Sequence, residues 1–291
     1  MRRRRNKRPK PIRFFECRFI LLPLLRQKKR SWIPTSPLRK PTTIKTPTIL
    51  KTSSGWDDGL LICGAIASPL KFIPKALHPN YAKLYRHRGH RYITVREFDK
   101  AIADLEKAAK LIQGVPDEIE PDGAPNQYNI PTSTSHSNIW YHRGLAYYLK
   151  GDFKNALRCY LECMKFSQTN DDMLCTTSDW LYMTYRRLGK ADEAKKVLEP
   201  IQENMKILEN FSYHKRLLMY KGLVAPDSLL DTKNATDLDI ATQGYGVGNW
   251  YLYNGQTERA KEIFERVIKG KYWAAFGYIA AEADLKRRQK R

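Results

Sequence analysis

The sequence predicts an all-α protein: a right-handed solenoid of stacked antiparallel helix hairpins, ended by a C-terminal capping helix and preceded by a disordered basic N-terminal tail. Three observations predict it. Small residues recur at fixed offsets from large aromatic ones. Gly151, Gly189, Gly222 and Gly255 fall 38, 33 and 33 residues apart. The excess positive charge is confined to one end of the chain.

The tail, 1–55, comes first. Residues 1–51 hold 17 Lys and Arg against a single acid, Glu16, which leaves 35 basic and 29 acidic residues in 52–291. The formal charge of +22 is therefore mostly a property of the tail, and the body is near balance. A segment so basic and proline-rich cannot bury enough apolar surface to offset its ordering entropy, so it is expected to be dispensable for folding. Four readings of it stay open: a start codon placed too far upstream, a targeting segment, a polyanion-binding arm, or a solvated tail. Nucleic acid is an unlikely partner except through this tail. Residues 56–80 read as an extended linker. Within it, 59–70 combine a short apolar run with small residues, suited to packing onto the first repeat or to export.

The hairpins occupy 81–291. Relative to Gly151, Trp140 lies eleven residues before, Gly144 seven before and Tyr147 four before; Ala156 and Tyr160 lie five and nine after. Gly248, Tyr251, Ala260 and Phe264 hold the same offsets from Gly255, as do Tyr182, Tyr185, Ala194 and Leu198 from Gly189. Aligned on Arg96, Tyr85, Gly89, Tyr92, Phe98, Ala101 and Leu105 fit. Gly222 marks a degenerate repeat with a short second half, 226–230. A small residue on the first helix lets the second approach, and large residues fill the space between hairpins. No hairpin buries its apolar face alone, so stability comes from stacking. Residues 272–288 supply the capping helix, with basic residues at its C-terminal end.

This pattern over 81–285 is identified as that of the tetratricopeptide-repeat (TPR) superfamily. The runs Glu120-Pro121-Asp122-Gly123-Ala124-Pro125-Asn126, Trp140-Tyr141-His142, Asp179-Trp180-Leu181-Tyr182-Met183 and Ala274-Ala275-Phe276-Gly277-Tyr278-Ile279-Ala280-Ala281-Glu282 resemble a set of uncharacterised bacterial TPR proteins. The closing arrangement is also faintly similar to the TPR lipoprotein adaptor of the bacterial envelope, although a clean lipobox is missing around Cys63. The resemblance implies a fold and a binding role, and no activity.

Between the first two repeats the spacing is 55 residues, about 21 more than the TPR period. The excess is the loop 114–137, with four prolines. Its prolines lower the cost of ordering, so it is expected to be ordered and to fold back on the groove, anchored by Ile119, Tyr128 and Ile130.

Chemistry is sparse. No P-loop, dinucleotide fingerprint, HExxH or GxSxG is present. Gly244 to Gly248 lies inside a helix, where glycines permit close packing. His87 and His90 share a helix face without a third ligand, so no metal and no cofactor is expected. The five cysteines show no CxxC spacing and read as small buried apolar residues. Asp171 and Asp172 suit a helix start. The first helix of each TPR hairpin lines the concave face. The candidate partner-binding residues are therefore Tyr141, His142, Arg143, Tyr148, Tyr185, Arg186, Asn249 and Tyr253 on those helices, with Asp122, Asn126 and Asn129 on the loop.

The leading reading is a non-enzymatic scaffold or adaptor that holds a protein or peptide in the groove. The alternative is a small-ligand receptor or enzyme whose pocket forms where the loop meets the groove, with Glu120, Asp122 or His136 set against His142. No apolar run is long enough to span a membrane. A cytoplasmic location is slightly favoured; the bacterial cell envelope or an organelle stays open if the N-terminal region is a targeting segment.

Overall fold

A computed structural model describes residues 80–120, 126–231, 233 and 235–289. The tail, most of the linker and Asp122 lie outside the described residues. The order is α1 Ala82–Thr94, α2 Phe98–Leu111, α3 Ser135–Lys150, α4 Phe153–Met164, α5 Asp171–Arg187, α6 Ala191–Val197, α7 Phe211–Tyr220, a 3-10 turn Pro226–Leu230, α8 Asp237–Tyr253, α9 Thr257–Ile268 and α10 Phe276–Gln289. Among the described residues there is no strand, only an isolated bridge between Ile119 and Thr134. The protein is a helical solenoid.

Local chemistry sets the helix starts. Thr134 and Ser137 form a reciprocal capping box at α3, and Thr236 and Asp239 form one at α8. Asp152 and Asn170 cap α4 and α5 by accepting from Asn155 N and Met173 N. Short turns make each hairpin antiparallel, and the small-residue slots bring its helices together. A Cβ on Gly144 would lie 2.9 Å from the Tyr160 ring. The turn after α3 needs a left-handed residue, which Gly151 supplies at φ 90. The equivalent position after α1 is Arg96 at φ 64, an unfavourable conformation for a side chain, and it is held by contacts elsewhere.

Two hairpins are incomplete. The second helix of the fourth repeat is a single 3-10 turn, as its sequence suggested. That of the third, α6, has only 7 residues. The chain then returns as 201–210 across the start of α5. Asp172 fixes it there by accepting from the backbone N–H of Leu208, Glu209 and Asn210, while Asp171 accepts from Lys206 N. These carboxylates thus organise the return of the chain, and the cap itself is Asn170.

The last helix caps α8 and α9 and also reaches back to α3. Its first half is buried: Gly277, Ile279, Ala280 and Ala281 lie inside, and a Cβ on Gly277 would sit 2.2 Å from Ala241 O. No helix of the described residues is long and apolar enough to cross a membrane.

Candidate functional site

The concave face is the natural place to look, and it is full. Tyr141, His142, Tyr148 and Asn249, expected to contact a partner, are 6%, 5%, 0% and 0% exposed. Their partners come from the same chain, so they are not available as surface contacts. Tyr141 Oη meets Tyr213 Oη at 3.3 Å, and the His142 ring packs against His90 at 4.5 Å and Phe276 at 5.8 Å. Burial holds the His90 imidazole well below its ordinary range, so it is neutral.

Deeper in, α10 is locked by charge. Asp284 Oδ2 lies 2.5 Å from Arg187 Nη2, and Asp284 Oδ1 lies 2.6 Å from Arg287 Nη2. Tyr245 Oη sits 3.0 Å from Asp284 and 2.9 Å from Tyr148 Oη. Asn249 joins this set by donating to Tyr148 Oη at 2.9 Å and accepting from Arg187 Nε at 2.7 Å. Burial alone would raise the Asp284 carboxyl; Arg187 and then Arg287 outweigh it and hold it below its ordinary value. At the helix ends, Arg96 pairs with Glu282 at 2.9 Å and donates to Trp273 O at 2.9 Å, and Arg287 donates to Leu149 O at 2.6 Å. The strained Arg96 is thus a clasp between α1 and α10.

A second buried pair bridges the repeats. Asp179 Oδ2 and Arg216 Nη2 are 2.7 Å apart, both fully buried. Neither carboxyl oxygen of Asp179 has a hydrogen-bond partner among the described residues. Burial pushes the Asp179 carboxyl up to about 7, against the pull of Arg216. The guanidinium also donates to Thr242 O at 3.0 Å.

The other candidates are more open. Arg143 stacks over Trp140 and Tyr147 and pairs with Glu106 at 3.2 Å. Arg186 lies 4.3 Å over the Tyr253 ring and donates to Asn254 at 2.9 Å, so these two candidates do meet. Tyr185 borders a groove between α4, α5 and α6.

The loop is held by polar residues. Glu120 N donates to Ser133 O, and Ser135 N donates to Glu118 O. Asn126 folds the turn by accepting from Tyr128 N and Ile130 N, and it donates to Glu209 at 3.0 Å. Thr132 donates to the same carboxylate at 2.6 Å. Asn129 is exposed at φ 52. The expected apolar anchors point the other way: Ile119, Tyr128 and Ile130 are 67%, 58% and 51% exposed. Ordering by polar contacts leaves them free for solvent.

The residues of the enzyme reading are otherwise engaged. Glu120 faces Arg86, His87 and Asn138. His136 packs on Phe166 and lies six residues before His142, on a different helix face. His87 turns to Glu120 and His90 to His142, so the two do not converge. Burial pushes the Cys159, Cys163 and Cys175 thiols up to about 12, 11 and 12, which keeps them protonated and unreactive.

Sequence reasoning missed Arg187, Arg216 and Asp284, and named Asp179 without its ion-pair role. A signal existed: Asp179, Met183 and Arg187 repeat every four residues, a buried stripe interrupted by charge. Residues 137–170 match one tetratricopeptide repeat model, and residues 244–269 match a second. These are the α3–α4 and α8–α9 hairpins. A search of curated proteins finds no match.

Proposed function

We propose that this tetratricopeptide-repeat protein is a non-catalytic interaction scaffold that holds a protein or peptide partner along the edge formed by its long loop and the start of α7. One observation carries the reading. The described parts of the loop, 114–120 and 126–137, are tied to each other and to Glu209, yet Ile119, Tyr128 and Ile130 face outward. Phe211, two residues beyond Glu209, is 49% exposed. A pre-organised loop loses little entropy on binding, and exposed aromatic and aliphatic groups are the usual anchors of an interface. Asn126 and Asn129 then serve as polar rim contacts. Arg186 and Tyr253 offer a secondary cation–aromatic surface at the opposite ends of their helices.

The test compares proteins captured from the source cell by the full chain and by a Tyr128→Ala, Ile130→Asp variant. Loss of specific captured partners at unchanged thermal stability supports the edge. Full capture by the variant refutes it.

A further inference from the structure

The third hairpin leaves a gap. Its second helix α6 has 7 residues, where α2, α4 and α9 have 14, 12 and 12. The chain soon meets Pro200, which has no N–H for further helical turns. The faces of α4 and α5 that such turns would cover stay open. The result is a groove of about 600 Å³ with an apolar lining of Leu161, Met164, Leu174, Leu181, Val197 and Pro200. Leu161 is 43% exposed there. On the rim, Glu193 pairs with Lys190 at 3.2 Å, which leaves Lys196 for an acid from elsewhere.

We propose that this groove is the docking site of the chain's own segment 59–70. The chemistry matches. Leu60, Leu61, Ile62, Ala65, Ile66 and Leu70 are apolar, and no charge interrupts 59–70. Asp57 and Asp58 precede the run and suit Lys196.

The reach also fits. First helices α1, α3 and α5 run parallel, so the start of α1 lies on the edge where α4 and α6 end. The groove opens on that edge, because Gln168 and Leu174 flank the turn from α4 into α5. From α1 to α5 is two repeat steps, roughly 20 Å at the usual spacing of packed helices. The ten residue steps from Leu70 to Asn80 extend to about 33–36 Å. Docking also removes an exposed apolar surface of the kind that otherwise drives association.

The test uses the full chain carrying Cys17→Ser and Leu161→Cys, with native Cys63 as the reporter. The three buried cysteines are poor competitors for a maleimide. Treatment with a flexible bis-maleimide is followed by peptide mass mapping. The expected product is a cross-link within one chain between Cys63 and position 161, lost when Leu61→Asp and Ile62→Asp are added. Gln168→Cys replaces Leu161→Cys if circular dichroism shows the latter unfolded. A cross-link between two chains means a second copy fills the groove and overturns the proposal. Free alkylation of both thiols without any cross-link overturns it as well, and leaves the groove to an external partner.

Discussion

Gly277→Ala is expected to cost far more than one methyl group. The added Cβ would lie 2.2 Å from Ala241 O, 2.8 Å from Ala241 C and 3.1 Å from Thr242 Cα. All three are backbone atoms of α8, so no side chain can swing aside. Carbon atoms pack best at about 3.5–4.0 Å, so α10 must retreat by about 1 Å. That movement stretches the 2.5 Å contact between Asp284 and Arg187 to about 3.5 Å, beyond hydrogen-bond range. Overpacking costs about 1–3 kcal/mol, and breaking a buried ion pair costs about 3–5 kcal/mol. The two are not additive, because the retreat that relieves one causes the other, so about 3–5 kcal/mol is expected for the whole. Gly248→Ala is the comparison: its Cβ would meet side-chain atoms only, the Phe264 ring at 2.7 Å and Ile263 Cγ2 at 3.2 Å, and no backbone. Urea unfolding followed by helical circular dichroism gives both costs. Hydrogen exchange should show early opening of α10 in the Gly277 variant alone. A Gly277→Ala cost below about 1 kcal/mol would refute the close crossing of α8 and α10.

Gly144→Leu should destabilise by about 1–3 kcal/mol or more, since even a Cβ there lies 2.9 Å from the Tyr160 ring; an unchanged urea midpoint would mean the repeat register is wrong. Arg96→Ala should be worse than Arg96→Gly by about 1 kcal/mol, because both lose the clasp to Glu282 but only glycine relieves the left-handed strain; the reverse order in thermal unfolding would deny that strain. Asp179→Asn tests the second buried pair through pH. The folded carboxyl is raised to about 7 against about 3.9 unfolded, so its contribution is full below pH 4 and lost as pH rises towards 7. The difference in urea midpoint between wild type and Asp179→Asn should therefore change from about pH 4 through about pH 7 and level off beyond it; a difference constant over that window would sink the assignment.

Much of the fold was legible because the repeat writes the same packing problem several times. Gly89, Gly144 and Gly248 each face a large residue of the partner helix, and that pairing survives drift elsewhere. The degenerate fourth repeat shows in the spacing of Gly222, 33 residues from both Gly189 and Gly255, with Phe211 and Leu218 in the large slots. The site was less legible, for a physical reason. Position within a hairpin says which residues line the concave face, and it placed Tyr141, His142, Tyr148 and Asn249 there. It does not say how tightly successive repeats curl, or that α10 returns to α3. The contacts between Arg96 and Glu282 and between Tyr148 and Tyr245 join residues 186 and 97 apart, with no local signal linking them. The same limit hid the loop's anchoring. Its apolar residues looked like anchors, but Glu209, far along the chain, holds it through Asn126 and Thr132.

Under the proposed scaffold function, the filled concave face directs a partner to the loop edge. A peptide entering it must first displace α10 and leave Arg187 buried without Asp284. Leaving one member of a buried pair alone costs about 3–5 kcal/mol, and every 1.4 kcal/mol is about tenfold in affinity. An incoming ligand would therefore bind about a hundredfold to several thousandfold more weakly than its contacts alone would give, unless it supplied its own carboxylate to Arg187. The loop edge carries no such penalty. Its polar anchors are already made, and Tyr128 and Ile130 need shed only water. Alanine at Tyr128 should thus weaken partner capture, whereas Tyr148→Phe should leave capture intact and lower stability, because Tyr148 Oη accepts from Asn249 and contacts Tyr245 inside the fold. The opposite pattern, capture lost with Tyr148→Phe at full stability, would return the binding site to the groove.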